Sequence, residues 1–249
     1  MKPQLLIQNL ETAGRNNGSP GKTRSRLEKA ASWKRQRIVV IVPAGAMLPA
    51  KVYLSHCNLV FPPNNGVVRM LAQGMEVGEA YTNAIEQILA HPELSTWEYV
   101  LTLEHDNMPP ADGVLRLCER MEAHPEYACI GGLYYTKGGN TAGEDWDNVG
   151  VPQIWGDPRD PVLNFRPQLP DPAGGLVECC GTGMGFNLWR LSTFRNKRLR
   201  KPWFKTESRT GIISQDLYFW TDARKHGIRC AIDCSVKVGH YDVKTDTVY

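Results

Sequence analysis

The sequence predicts an α/β protein, with a mixed, mostly parallel central sheet flanked by helices in a single domain. Three observations carry this. The run Ile38-Val39-Val40-Ile41-Val42 is continuous and β-branched, as in a strand buried on both faces. From residue 38 to residue 133, strand-like runs alternate with helix-periodic segments, the pattern of a doubly wound sheet. The length of 249 residues and an apolar share of 42% suit one core.

The elements follow in order. Residues 1–37 are polar and read as a flexible basic arm, with a short helix at Arg24–Lys34. The first strand ends at Pro43-Ala44-Gly45. Pro49–Val60 reads as a helix stopped by Phe61-Pro62-Pro63, and Val67–Leu71 as a second strand. From Glu76 to Leu89, Val77, Ala80, Ala84, Ile85 and Ile88 share one helical face, and Pro92 ends it. Tyr99–Leu103 is a third strand, Ala111–Ala123 a helix and Ala128–Leu133 a strand. Residues 138–175 hold seven Gly and six Pro, so a long loop or a set of short hairpins is expected there. Leu176–Leu188 returns to strand character, and Gln215–His226 reads as a helix ended by Gly227. Ile228–Asp233 and Val236–His240 read as short strands.

Charge divides the chain. The net +3 combines +7 in residues 1–37 with −4 in the remainder, so the body is not a nucleic-acid-binding domain on charge alone. A second basic stretch spans 190–209 and is either a solvated face or a lid that meets phosphates. The seven cysteines include no C-x-x-C pair and sit mostly in apolar runs, which points to core thiols in a reducing compartment. The N-terminus lacks the apolar core of a signal peptide, and Ile38–Ala50 is too short to span a bilayer. A cytoplasmic location is expected.

Four constellations can carry chemistry. Glu104-His105-Asp106-Asn107 lies past the carboxyl end of the third strand, where open α/β sheets bind ligands. Acids two residues apart on an extended segment point the same way, and hard divalent cations take such oxygens. Solvated loop acids are the plainer alternative. Ser214 is a candidate N-cap, and Asp216 falls in the first turn, where the helix dipole favours its ionised form and makes it a weak base. It is equally readable as a helix-start acid. Gly181-Thr182-Gly183-Met184-Gly185 comes too late, and without a following helix, for a dinucleotide fingerprint. Its glycines suit close packing beneath a ligand or a kinked strand. His240 is a lone histidine that matters only if it converges with Glu104 and Asp106. Tyr134, Trp155 and Trp203 are candidate stacking platforms for a sugar, with core packing as the alternative.

Taken in order, these features resemble one family. A buried strand ends in Pro43, Glu-x-Asp follows the third strand, and Gly131-Gly132-Leu133-Tyr134-Tyr135-Thr136-Lys137 comes next. Gly-Thr-Gly-Met-Gly-Phe at 181–186, Pro202-Trp203-Phe204, Ser-Gln-Asp at 214–216 and Val-Gly-His at 238–240 complete the series. Over most of the chain after the arm, this resembles GT-A-type (Rossmann-like) glycosyltransferases, in particular the compact family-two-like ones often carried by bacteriophages. The resemblance implies a nucleotide-binding half at 38–137 and an acceptor-binding half at 138–249. It implies a metal-dependent transfer from a UDP- or GDP-sugar to an acceptor hydroxyl, with Mn2+ or Mg2+ held by Asp106, His240 and Glu104. Pro43, Ala44 and Gly45 would border the base, and Asn83, Glu104, His105, Gly132 and Lys137 would face the donor. Tyr134, Trp155, Gly181, Thr182, Gly183, Trp203 and Gln215 would meet the sugar or acceptor. Asp216 would be the general base of an inverting reaction.

Departures from the family pattern are visible. Glu104 replaces the first Asp of D-x-D, and Gln215 replaces the Glu of the usual Glu-Asp pair. Tyr81-Thr82-Asn83 stands where relatives often carry Ala-Arg-Asn, so a phosphate contact is missing at position 82. Two alternatives stay open. One is a sugar-nucleotide nucleotidyltransferase, disfavoured because Pro43–Pro49 carries no basic residue. The other is a non-catalytic domain binding nucleotide sugar or carbohydrate. The acceptor is open among protein, glycan and modified nucleobase.

Overall fold

The structure, a computed structural model, describes residues 25–26, 36–63, 66–137, 150–207 and 214–249. The expected helix at Arg24–Lys34 lies almost wholly outside these residues. Within the arm, Ser25 and Arg26 are described, and the Arg26 guanidinium meets Asp112 at 2.9 Å and Glu119 at 3.5 Å.

A seven-stranded sheet forms the centre. Its strands are β1 (Ile38–Ala44), β2 (Val67–Gln73), β3 (Tyr99–Leu103), β5 (Cys129–Leu133), β9 (Leu176–Cys179), β11 (Phe186–Arg190) and β12 (Cys230–Lys237). Their order is β2-β1-β3-β11-β5-β12-β9. β1 pairs in parallel with β2 and β3, and β5 with β12, while β11 and β9 run antiparallel to their neighbours. Five strands therefore share one direction, and the mostly parallel sheet is observed. Among the described residues, four α-helices flank it: α1 (Ala50–Cys57), α2 (Val77–Ala90), α3 (Gly113–Ala123) and α4 (Gln215–Ala223).

Strand alternation sorts the core onto two faces. Val39 and Ile41 of β1 pack with Tyr81, Ala84, Ile85 and Ile88 of α2 and with Phe219 and Trp220 of α4. Ile38, Val40 and Val42 pack with Val114, Leu117 and Met121 of α3. The first face is aromatic. Trp189 stacks on Trp220 at 5.2 Å and meets the edge of Phe219 at 5.3 Å, and Phe204 stacks on Phe219 at 5.0 Å.

Leu176–Leu188 has the expected strand character and divides into β9, the short β10 (Gly181–Thr182) and β11, which lie in two different sheets. The glycines cause the division, because the chain there presses on neighbours. A Cβ at Gly181 would lie 2.9 Å from the Trp220 ring and one at Gly183 2.2 Å from the Tyr134 hydroxyl. In the basic stretch, four of the described side chains are engaged by the protein itself. Arg190 donates to the carbonyls of Tyr127, Met121 and His124, Arg195 to that of Ser95 and Arg200 to that of Tyr218, while Lys201 pairs with Glu86. These side chains fasten loops and close the end of α3.

In the Gly/Pro-rich interval, the described part forms short ladders. β7 (Val151–Pro152) pairs with β6 (Tyr135–Thr136), and β8 (Ile154–Trp155) pairs with β10. β13 (Gly239–Asp242) runs antiparallel to β4 (Asn107–Met108) and to β14 (Thr247–Val248). All seven cysteines carry free thiols, and all except Cys57 are buried. Among the described residues no helix is long and apolar enough to cross a membrane.

Candidate functional site

A cleft of about 340 Å³ opens at the carboxyl ends of β1, β2 and β3, the edge where open α/β sheets take ligands. Pro43, Ala44, Gly45, Glu104, His105, Asp106 and Gln215 line it, together with Gly74, Met75 and Val77. The first seven are expected from the sequence. Gly74, Met75 and Val77 are not, because nothing in their pattern separates them from an ordinary strand-to-helix turn.

Residues 104–107 form a turn, closed by the Asn107 N–H on the Glu104 carbonyl at 3.1 Å and held by the Glu104 N–H on the Gly185 carbonyl at 3.0 Å. The pair therefore does not lie on one extended face. Asp106 faces His240, whose Nε2 lies 3.4 Å from Asp106 Oδ2. Long-range pairing makes this meeting: His240 is the register partner of Asn107, and the Tyr241 N–H donates to the Asp106 carbonyl at 2.7 Å. Glu104 instead receives the Tyr81 hydroxyl at 3.5 Å. From α1, His56 reaches the Asn107 carbonyl at 2.9 Å and Ser55 the Pro109 carbonyl at 3.0 Å, so this helix clasps the segment behind the acids.

The carboxyls differ in their electrostatics. Glu104 is pushed up to about 8, first by burial and then by the charges of Asp106 and Asp216. Burial also acts on Asp106, but the bond to His240 and the nearby histidine charge hold it below the usual value. Asp216 is 6% exposed, and burial raises it. Ser214 occupies the N-cap position without capping the backbone; its side chain and the Leu217 N–H, at 2.9 Å, bond the Asp216 carboxyl. The expected lowering by the helix end is therefore corrected: those contacts pull downward, and desolvation exceeds them.

The remaining expected residues lie elsewhere. Trp203 is 2% exposed, edge-on to Phe194 at 5.5 Å in the aromatic core, so its ring offers no stacking surface. Gly132 is buried under Val236 and Val238, with 2.7 Å between a Cβ there and Val238 Cγ2, and so serves packing instead of a donor contact. Gly181, Thr182 and Gly183 are buried behind the site. Asn83 does not line the cleft, but its amide lies 3.8 Å from the sulfur of Met75, which does. Lys137 is exposed, Trp155 is half-buried, and neither lines the cleft. Tyr134 is buried, bonds the Gly185 N–H at 3.1 Å and packs 6.2 Å from the His240 ring. Thr82 is a fastener: its hydroxyl bonds both the N–H and the carbonyl of Phe204.

Among the described residues, no group of three or more His, Cys, Asp or Glu side chains is arranged to hold a metal. What is present is a pair, Asp106 and His240. Asp106 Oδ1 is buried and makes no hydrogen bond among the described residues. A carboxylate oxygen with spare capacity beside an imidazole nitrogen fits a divalent cation held by two protein ligands, with substrate oxygens completing its shell.

With sheet order and cleft in place, the fold is a mixed α/β one with a mostly parallel seven-stranded sheet flanked by helices. No family model matches the chain, and no curated protein sequence does. Solved structures do. A197 from STIV superposes with a TM-score of 0.57 at 15% identity, over 85% of this chain and 92% of that one. S. aureus TarS 1-349 gives 0.43 at 14% identity, over 79% of this chain and 57% of that one. The likeness to A197 is one of fold alone.

Proposed function

We propose that the chain is a glycosyltransferase that moves a sugar from a nucleoside-diphosphate sugar to an acceptor hydroxyl, with inversion. One observation carries this reading: a cleft at the carboxyl edge of the sheet is lined by Glu104, His105 and Asp106 after β3 and by Gln215 at the start of α4, with Asp216 next to Gln215 in the chain and His240 of β13 3.4 Å from Asp106. Charges on Glu104 and Asp216 interact, so the base candidate and the turn after β3 share one space.

Asp106 and His240 would hold the cation. When bound, Mn2+ or Mg2+ neutralises the charge gathering on the leaving diphosphate. Pro43, Ala44 and Gly45 border the cleft from the end of β1, and Gly74 and Met75 from the end of the neighbouring β2, and these residues would border the base. Asp216 takes the proton of the acceptor hydroxyl as that oxygen attacks the anomeric carbon. Its raised affinity for protons makes it a better base than an exposed aspartate.

The test is a thermal-shift panel of nucleotide sugars with and without Mn2+, followed by product analysis. A Mn2+-dependent upward shift with one donor, and release of a nucleoside diphosphate, supports the reading. Release of pyrophosphate would replace it with nucleotidyl transfer. Donor binding with no turnover of any kind would leave a binding domain.

A further inference from the structure

Buried polar groups without partners are rare and call for an account. Three such atoms gather on one short ribbon. Asn107 is fully buried, and neither Oδ1 nor Nδ2 of its amide makes a hydrogen bond among the described residues. Nδ1 of His240 is in the same condition.

Strand pairing brings them together. His240 and Asn107 are register partners on antiparallel β13 and β4. The backbone N–H and carbonyl of His240 are spent on Tyr249, on the other side, while the Tyr241 N–H bonds the Asp106 carbonyl. The 107–240 pair is thus of the non-hydrogen-bonded kind, in which the two side chains share a face and stand closest. The amide is confined from behind: a Cβ at Gly185 would lie 2.6 Å from Asn107 Nδ2 and 2.7 Å from the Tyr134 ring. Tyr134 in turn packs on His240.

We infer that Asn107 is a positioning residue for His240. In the structure the Asn107 side-chain oxygen and His240 Nδ1 are not bonded to each other; with Nε2 on the cation, the side-chain oxygen of Asn107 would turn to accept the Nδ1 proton of the imidazole, which leaves the Nε2 lone pair for the cation. This rests on the cation reading given above. A ligating histidine characteristically donates its second ring N–H to a fixed acceptor, and such acceptors set both tautomer and ring orientation. No other hydrogen-bonding group of the described residues claims either atom. Gly185 then gains a purpose: only a residue without Cβ leaves the amide its place.

The experiment measures Mn2+ affinity by electron paramagnetic resonance for the wild type, Asn107→Leu and Asn107→Asp, with melting temperature recorded for each. Leu keeps the shape and removes the acceptor, whereas Asp keeps the acceptor. Asn107→Leu is expected to bind Mn2+ about 10- to 100-fold more weakly, and Asn107→Asp at least as tightly as the wild type. Long-range 1H–15N correlation of the Mg2+-loaded wild type should show His240 protonated at Nδ1, a readout that needs no variant to fold. Equal affinity of Asn107→Leu and wild type, equal weakening in both variants, or a proton on Nε2 overturns the assignment. A wild type that binds neither cation overturns the cation reading itself, and this role with it.

Discussion

Replacing Thr82 by Val tests how the strip around Phe204 is held to the rest of the molecule. The Thr82 hydroxyl accepts the Phe204 N–H at 3.2 Å and donates to the Phe204 carbonyl at 3.3 Å, and both bonds are buried. Valine keeps the shape but leaves a buried donor and a buried acceptor unpaired. Each such group costs about 1–3 kcal/mol, and the added methyl returns about 0.8 kcal/mol. The expected loss is therefore roughly 1–5 kcal/mol. Thr82→Ser keeps both bonds and loses one methyl, at about 1 kcal/mol. Urea unfolding with an unchanged slope gives both numbers. A loss under about 1 kcal/mol for Thr82→Val, or an equal loss for Thr82→Ser, would refute the reasoning. The position is 6% exposed, so an arginine there has no room for its charge.

Three further outcomes are expected. Asp216→Asn should lower the transfer rate by about 10²- to 10⁴-fold and leave nucleotide-sugar affinity nearly unchanged; equal loss of both in kinetics and calorimetry would remove the base role. Trp203→Ala should cost about 3–5 kcal/mol of stability without a specific rise in acceptor KM, and a selective KM effect in a stable variant would restore Trp203 to the acceptor site. Arg229 grips Glu178 at 2.9 and 2.6 Å and holds its carboxyl below the usual range. That stabilisation is complete above the unfolded value of about 4.3 and is lost as pH falls through the lower folded value. The melting-temperature gap between wild type and Glu178→Gln should therefore close on acidification, and a gap independent of pH would contradict it.

Much of this was legible in the sequence where local pattern and tertiary environment agree. Ile38–Val42 has one reading, a strand buried on both faces, and β1 is that strand. The helix from Val77 announces its buried stripe, and Glu76 caps it through the N–H groups of Gly78 and Glu79. The turn at 104–107 is placed by the end of a strand, which sequence also shows. What sequence does not show is which distant element arrives beside it. His240 looks like any lone histidine until β13 pairs with β4. Tyr81 looks like core until its hydroxyl is found on Glu104. Trp203 and Gly132 look like recognition residues because aromatics and glycines serve both packing and binding. Asp216 shows a subtler limit: a helix start lowers a carboxyl in isolation, and only burial, a property of the whole fold, reverses the sign.

Strand β11 has a consequence for how the chain comes to be folded. It is the antiparallel seam between β3 and β5, and it holds the two parallel halves of the sheet in one layer. Thr102 of β3 and Asn187 of β11, paired in the sheet, are 85 residues apart in the chain. At ordinary rates of synthesis that interval takes roughly 4–17 s. Throughout it, β3 offers an open row of amides and carbonyls on a strand whose residues are all destined for burial. The nascent chain is most exposed to wrong pairing in that window. A pause in translation before residue 186 should raise aggregation, whereas one after residue 190 should not.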